Sequence, residues 1–270
     1  MAWFKRSSRI SFLATILAVA LTLGLAVNLS AQMPSPLSST SMSSRLPNQW
    51  EFSAPTGPGK SIPDNRMGGG TRGPGDEESC LQSNASLTAL VPASGIGETA
   101  SPYPTVFWYM PQSSASEVEF VLRDTKEEEI FSAKYTLAKS AQRSATGVPG
   151  IMSLSLPAFA NLSPLEIGQE YRWTVALVCN AIDRSSDITA EGGIRRVELN
   201  STLAQSVQQA TVLERVALFA NAKPKLWYET LGTLVELQRD YPNDADLKQA
   251  WNKLLNSIGL DTTFKKPISS

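Results

Sequence analysis

The clearest alternation of apolar and polar side chains along the chain lies in residues 168–199. In the first half of this segment every second residue is apolar or aromatic, which is the pattern of a strand with one face in a core. That face carries Tyr171, Trp173, Val175, Leu177 and Cys179. Turn-forming residues at 183–187 interrupt the pattern, and a second alternating run opens at 192–193. The segment therefore predicts two long strands, against which the rest of a β-domain is built.

Shorter apolar or alternating runs precede this pair, and turn-forming residues separate them. They occupy residues 87–91, 105–110, 118–122, 131–137 and 152–156. The third and fourth runs flank a charged turn, which predicts a β-hairpin. About seven strands at this spacing, with prolines and glycines between them, predict an antiparallel β-sandwich over residues 80–200.

The pattern changes to helical spacing after residue 200. Two sequences that resemble capping boxes begin at Thr202 and Thr211, and Pro242 ends a later helix before Asp244 caps the next. Residues 201–270 therefore predict a small helical module, and the fold class is α+β, mainly β. The spacing of its aromatic and leucine residues resembles that of tetratricopeptide repeats over little more than one repeat. A short helical cap on the sandwich is an equal alternative.

The N-terminal 31 residues have the pattern of a secretory signal. Three basic residues precede an apolar run at 10–27, and small residues before position 32 offer a cleavage site after Ala31. The alternative is an uncleaved membrane anchor, because the run is long for a signal peptide. Either form places the remaining chain on the extracytoplasmic side. Residues 32–79, which are rich in Ser, Pro and Gly, are predicted to be a disordered linker.

Composition excludes several classes of function. The chain has 24 Lys and Arg against 25 Asp and Glu, so its charge does not favour nucleic-acid binding. It contains no histidine, which removes the usual general base and zinc ligand. The run GGGTRG at 68–73 matches a dinucleotide-binding pattern, but no strand precedes it. We therefore expect no cofactor.

The chain has two cysteines, Cys80 and Cys179. In an exported protein an even number of cysteines favours a disulfide, which here would join the start of the β-domain to its central strand. The alternative is two unpaired thiols, with Cys179 a small core residue.

The strongest candidate for a binding or catalytic site consists of Asp183, Asp187 and Glu191 in the connection between the two long strands. Carboxylates spaced around a loop can bind a hard cation such as calcium, or act as a catalytic pair. The simpler interpretation is a solvated connection in which neighbouring arginines pair with these acids. Serine catalysis has no local motif in this chain.

Seven segments of the sequence resemble a family catalogued as domain of unknown function 928 and found mainly in cyanobacteria. They are GGGTRG at 68–73, LTALVP at 87–92, PTVFWYMP at 104–111, GIMSLSLP at 150–157, GQEYRWTVALVCNAIDRSSD at 168–187, EGGIRRVEL at 191–199 and ERVALFANAKPKLWYETLGTLVEL at 214–237. The resemblance covers nearly everything after residue 66. It implies an exported protein with the cysteine pair and no assigned activity, so it supplies no catalytic residues. Gly193 replaces the family's usual aromatic residue, which is expected to loosen the start of that strand.

These observations favour a non-enzymatic exported protein whose helical module binds a protein partner, with Trp227 and Tyr228 on the contacting surface. The alternative is a carbohydrate- or calcium-binding sandwich that uses the Asp183–Glu191 loop. A carboxylate-dependent hydrolase is a third hypothesis. Association with a membrane is expected only if the N-terminal segment stays uncleaved.

Overall fold

A computed structural model describes residues 45–47, 49–52, 66–68, 80–82, 85–137, 150–158 and 162–260 of the chain. Within these ranges eight strands form two sheets. The strands are β1 (Thr88–Ala89), β2 (Ile96–Thr99), β3 (Thr105–Met110), β4 (Glu117–Arg123), β5 (Glu129–Thr136), β6 (Gly150–Ser155), β7 (Glu170–Val178) and β8 (Ile188–Arg196). One sheet has the order β1-β3-β6, and the other has the order β2-β8-β7-β4-β5.

The two long predicted strands are confirmed as β7 and β8, which pair antiparallel at the centre of the five-stranded sheet. The predicted core face of β7 is buried at Trp173, Val175 and Leu177. One detail is wrong, because β8 begins at Ile188 and Gly193 lies in its middle rather than at its start. The acidic connection is therefore shorter than predicted.

Strand β2 was missed, and β1 is shorter than the predicted run at 87–91. The sequence of β2 is IGET, which is too short and too polar to show a period. It pairs with β8 in parallel, whereas the other strand pairs that the structure describes are antiparallel. The β-sandwich and the mainly β α+β class are otherwise confirmed.

Within the described residues four α-helices follow β8, and they are α1 (Ser201–Gln209), α2 (Val212–Ala220), α3 (Trp227–Asp240) and α4 (Ala245–Ser257). The capping box that begins at Thr211 is present, and the Asp244 carboxylate accepts from the Leu247 N–H at 2.9 Å. The box that was predicted to begin at Thr202 is wrong, because the side chain of Asn200 caps α1 instead. One helix pair, α3 and α4, does not establish a tetratricopeptide repeat, so that detail stays a prediction.

Strands of both sheets and helices α2–α4 share one cluster of buried apolar side chains. Phe107 of β3, Trp173 of β7, Trp227 of α3 and Leu254 of α4 all belong to it. Burial of such side chains is the dominant favourable contribution to folding. The helical module is therefore packed onto the sandwich by the same core that holds the sheets.

Part of the predicted linker also belongs to this core. Leu46, Trp50 and Phe52 are buried, and the Phe52 ring packs edge-on against Trp227 with the centroids 4.8 Å apart. The Arg66 guanidinium donates to the carbonyl of Ile258 at 2.9 Å. The prediction of a disordered linker is wrong for these residues, whose apolar side chains show no period in the sequence.

The predicted signal or anchor at residues 1–31 lies outside the described residues. In the part of the chain that the structure describes, no helix has the length and hydropathy required to span a bilayer.

Candidate functional site

The first turn of α3 docks on the β-sandwich through two aromatic side chains. The Trp227 indole N–H donates to the carbonyl of Leu90 at 3.0 Å, and the Tyr228 hydroxyl donates to the carbonyl of Gly193 at 2.7 Å. That hydroxyl also accepts from the Trp173 indole N–H at 3.1 Å, and burial raises the pKa of Tyr228. Both α3 side chains are buried. The prediction that Trp227 and Tyr228 form an exposed contact surface is therefore not supported by their position.

Two glycines make room for these aromatic rings. A Cβ on Gly97 of β2 would lie 2.6 Å from Trp227 and 2.8 Å from Tyr228, and one on Gly192 of β8 would lie 2.5 Å from Trp173. Distances this short mean that a side chain cannot be added unless the rings move. Gly97 therefore allows α3 to approach β2 closely, and Gly192 makes room for the Trp173 ring within the sheet.

Glu229 continues the same contact one residue further along α3. Its Oε1 accepts hydrogen bonds from the Thr99 hydroxyl at 2.6 Å and from the N–H groups of Ala100 and Ser101 at 2.8 and 3.1 Å. Burial of the carboxyl raises the pKa of Glu229, and the hydrogen bond from Thr99 opposes this shift. Its Oε2 is buried without a hydrogen-bond partner in the described part of the chain. Sequence reasoning missed this contact, since nothing in the β2 sequence signals a carboxylate partner.

The predicted disulfide is present, because Cys80 and Cys179 are bonded with their Cα atoms 5.3 Å apart. The bond joins the segment before β1 to the residue that follows β7. Residues 99 positions apart in sequence are thereby held together at one end of the sheet. The disulfide therefore joins the start of the β-domain to its central strand, as predicted.

The three acids of the predicted calcium or carboxylate site have separate roles in the structure. Asp183 caps a short 3₁₀ turn by accepting from the Ser185 N–H at 3.0 Å. Asp187 accepts from the Cys179 N–H at 3.3 Å and pairs with Arg184. Glu191 lies in β8 opposite Thr174. Among the described residues, no three acidic, cysteine or histidine side chains are grouped closely enough to hold a metal.

A groove of about 820 Å³ lies between α1 and α2, and we call it the helix groove. Its apolar lining comes from both helices and the turns that follow them: Leu203, Ala210, Ala217, Leu218 and Ala222. Its rim carries Arg45, Glu214 and Lys223. The Arg45 guanidinium lies 3.7 Å from the Glu214 carboxylate, so that pair closes one part of the rim. Hydrogen bonds from the backbone N–H and hydroxyl of Thr211 lower the pKa of Glu214.

A second concavity of about 490 Å³ lies at one end of the five-stranded sheet, and we call it the loop-end pocket. The turn between β4 and β5 forms one wall, and the segment that leads into β7 forms the other. Its lining is mostly polar, in contrast to the lining of the helix groove. No sequence motif signalled either concavity, since the residues of each come from separate elements.

Together these features define a class of protein, a disulfide-bonded β-sandwich with a helical module packed on it. The model of the Domain of Unknown Function (DUF928) family matches residues 67–268, and the chain belongs to this family. The family resemblance drawn from the sequence motifs is therefore confirmed.

No curated protein matches the chain in sequence. Among solved structures, a match was found to astrotactin-2, which is described as a conserved vertebrate-specific and perforin-like membrane protein involved in neuronal development. The identity is 12% and the TM-score is 0.23, over 63% of this chain. The match spans 37% of the astrotactin-2 chain, and a similarity at this level carries no inference about fold or function.

Proposed function

We propose that this protein is an exported, non-enzymatic interaction protein whose helix groove binds a peptide segment of a protein partner. The observation that carries the proposal is the exposure of α1. None of the nine residues of this helix is buried, whereas α2, α3 and α4 each bury several. An isolated helix shorter than about 12–15 residues is marginal in water, because most helical stability in proteins comes from packing. A partner in the groove would supply the packing that α1 lacks.

The contacts of α1 with the rest of the chain are few and polar at its ends. Asn200 caps its first turn, and the Arg215 guanidinium donates to the carbonyl of Val207 at 3.1 Å. Leu203 and Val207 pack only partly against the small cluster around Phe219. The helix is thus held in place while one side of Leu203 faces the groove.

The lining of the groove indicates the chemistry of its partner. Small and branched apolar side chains on the floor favour an apolar anchor residue, as in other helix-lined grooves that bind peptides. At the rim, Lys223 forms no ion pair that the structure describes, whereas Arg45 already faces Glu214. We therefore expect a segment with apolar anchors and a carboxylate that reaches Lys223.

Two further observations support the export and the non-enzymatic role. The disulfide between Cys80 and Cys179 is typical of chains that fold outside the reducing cytoplasm. The absence of histidine from the sequence, together with the separate roles of Asp183 and Asp187, gives no support to a hydrolytic site. The signal sequence at residues 1–31 remains part of the proposal.

The test is selection from a random peptide display library on the purified, disulfide-bonded full-length chain. We expect enriched peptides to share apolar residues next to Asp or Glu. A synthetic peptide of that consensus, titrated by fluorescence anisotropy, should bind the Ala217→Arg variant at least about tenfold more weakly, because the new side chain fills the groove. In the same assay, Lys223→Glu should weaken the binding of peptides that contain Asp or Glu.

Gln249→Arg is the matched control, because Gln249 is exposed on α4 outside the groove and the change adds the same side chain. Far-ultraviolet circular dichroism would verify that each variant is folded. The proposal would be overturned if no peptide is enriched, or if the enriched peptides bind Ala217→Arg as tightly as the unchanged protein.

A further inference from the structure

We propose that the loop-end pocket is a second binding site, and that it takes a neutral oligosaccharide. The site is independent of the helix groove, since its walls come from the β4–β5 turn, the start of β5 and the segment before β7. Its volume of about 490 Å³ lies within the range of about 300–1,000 Å³ that is typical of pockets for small molecules.

The topology of the sheet brings these two walls together. Strands β4 and β7 are antiparallel, and Arg123 at the end of β4 pairs with Arg172 near the start of β7. The turn that leaves β4 and the segment that enters β7 must therefore meet at the same end of the sheet. Loops at the ends of sandwiches are common positions for binding sites, because a rigid scaffold holds them.

Both walls are fixed by hydrogen bonds within the protein. In the first wall, Oδ1 of Asp124 accepts from the N–H groups of Lys126 and Glu128 at 2.8 and 3.0 Å. In the second wall, the Glu166 N–H donates to the Tyr171 hydroxyl at 2.9 Å. The Leu165 N–H also donates to the carbonyl of Pro102 at 3.0 Å. A pocket with walls held in this way is preorganised, which lowers the entropic cost of binding.

The polar lining contains acceptors and donors side by side. Asp124, Glu166 and Glu170 supply carboxylate oxygens, and the ammonium group of Lys126 and the amide of Gln169 supply donors. The hydroxyl of a sugar both donates and accepts, so a polyhydroxyl ligand matches such a mixed lining. Hydrogen bonds to carboxylates are also stronger than those between neutral groups.

Another part of the lining is apolar, and it includes one aromatic ring. Tyr171 is half-buried, and the apolar part of the pocket also contains Ile130, Leu162, Pro164 and Leu165. The C–H face of a sugar ring can pack against an aromatic ring while its hydroxyls reach the polar rim. The Tyr171 hydroxyl accepts from Glu166, which leaves its own proton free to be donated.

The charge of the lining and the spacing of its side chains disfavour anions, cations and metal ions as ligands. Three carboxylates line the pocket against one ammonium group, so an anion would be repelled. Glu170 is held by the Arg195 guanidinium, whose Nε lies 2.8 Å from Oε1. This pairing reduces the attraction of the pocket for a cation. The described residues include no group of three such side chains that could hold a metal.

The test is an array of neutral, acidic and basic oligosaccharides probed with the purified full-length protein, followed by calorimetric titration with each neutral glycan that binds. We expect binding of neutral glycans and a loss of at least about tenfold in affinity in Asp124→Asn and Glu166→Gln. Asp124→Asn keeps an oxygen for the turn and removes one carboxylate acceptor. Glu236→Gln, an exposed change on α3 outside the pocket, is the matched control and should bind as the unchanged protein does.

Three outcomes would overturn the proposal. The first is that no neutral glycan binds the folded protein. The second is that bound glycans have the same affinity for Asp124→Asn and Glu166→Gln as for Glu236→Gln. The third is that spermidine, added as a simple polycation, binds this pocket in the calorimeter while the neutral glycans do not.

Discussion

Trp227 and Tyr228 of the helical module pack directly against Gly97 of β2, and Gly97→Ala tests the packing there. A Cβ at this position would lie 2.6 Å from Cδ1 of Trp227 and 2.8 Å from Cε2 of Tyr228. Ordinary contacts to a Cβ lie between 3.4 and 4 Å. One of the rings, or strand β2 itself, therefore has to move by more than half an ångström in the folded variant.

The rings have little freedom to move. Trp227 is fully buried and bonded to the carbonyl of Leu90, and Tyr228 is bonded to the carbonyl of Gly193. Inserting a methyl group into a packed core costs about 1–3 kcal/mol, and losing one hydrogen bond adds about 1 kcal/mol. Alanine also restricts the unfolded chain, which offsets about 0.4–1 kcal/mol. We expect Gly97→Ala to lower the free energy of unfolding by about 1–3 kcal/mol.

Urea denaturation followed by tryptophan fluorescence measures this change. With a slope of about 2 kcal/mol per molar urea, the midpoint should fall by about 0.5–1.5 M. Gly150→Ala is the matched control, because it makes the same change in a strand where no described atom lies within 4 Å of the new Cβ. Its midpoint should be unchanged or slightly raised. Equal midpoints for the two variants would refute the close packing of α3 on β2.

Three further predictions concern the disulfide, the buried carboxyl and the loop acids. Reduction of the Cys80–Cys179 bond should lower the free energy of unfolding by about 4–5 kcal/mol, measured by urea denaturation with and without reductant. An unchanged midpoint would contradict the stabilising role of the disulfide. Since burial raises the pKa of Glu229, its contribution to stability is complete below the ordinary glutamate pKa and declines as pH rises through the folded-state pKa. Glu229→Gln should lack this decline at pH values above the ordinary glutamate pKa, and parallel stability profiles for the two proteins would contradict the burial of this carboxyl. In calorimetry, calcium should give the unchanged protein no more heat of binding than it gives Asp187→Ala, because the Asp187 oxygens already bind Cys179 and Arg184. A saturable heat that is lost in the variant would show that the predicted calcium site exists.

Elements with a clear period were the ones that the sequence predicted well. Trp173, Val175 and Leu177 alternate on one face of β7, and the capping box at Thr211 marks the start of α2. Such patterns are local, so they survive in the sequence without knowledge of the tertiary structure. The disulfide was predictable for another reason, since two cysteines allow a single pairing.

Contacts between distant segments were not predictable in the same way. Strand β2 is four residues long, and its position depends on its parallel pairing with β8 and on the fit of Gly97 against α3. The burial of Phe52 depends on its contact with Trp227, which lies far away in sequence. A single sequence contains no local signal for either contact.

The candidate sites show the same difference between local patterns, which the sequence reveals, and contacts between distant segments, which it does not. The sequence drew attention to Asp183, Asp187 and Glu191, because they are close together along the chain. In the structure they cap a turn, fix a strand end and lie within β8. The two concavities instead combine residues from several elements, as Arg45 and Lys223 do in the helix groove.

Amide hydrogen exchange of the free protein, read out by mass spectrometry of peptides from α1 and α3, tests the central claim most directly. A helix with no buried residue that lacks its partner should open readily, so the amides of α1 should exchange much faster than those of α3. A peptide that fills the helix groove should slow exchange in α1 and leave α3 unchanged. Protection of α1 equal to that of α3 in the free protein would show that its packing is already complete, and would contradict the proposed partner site.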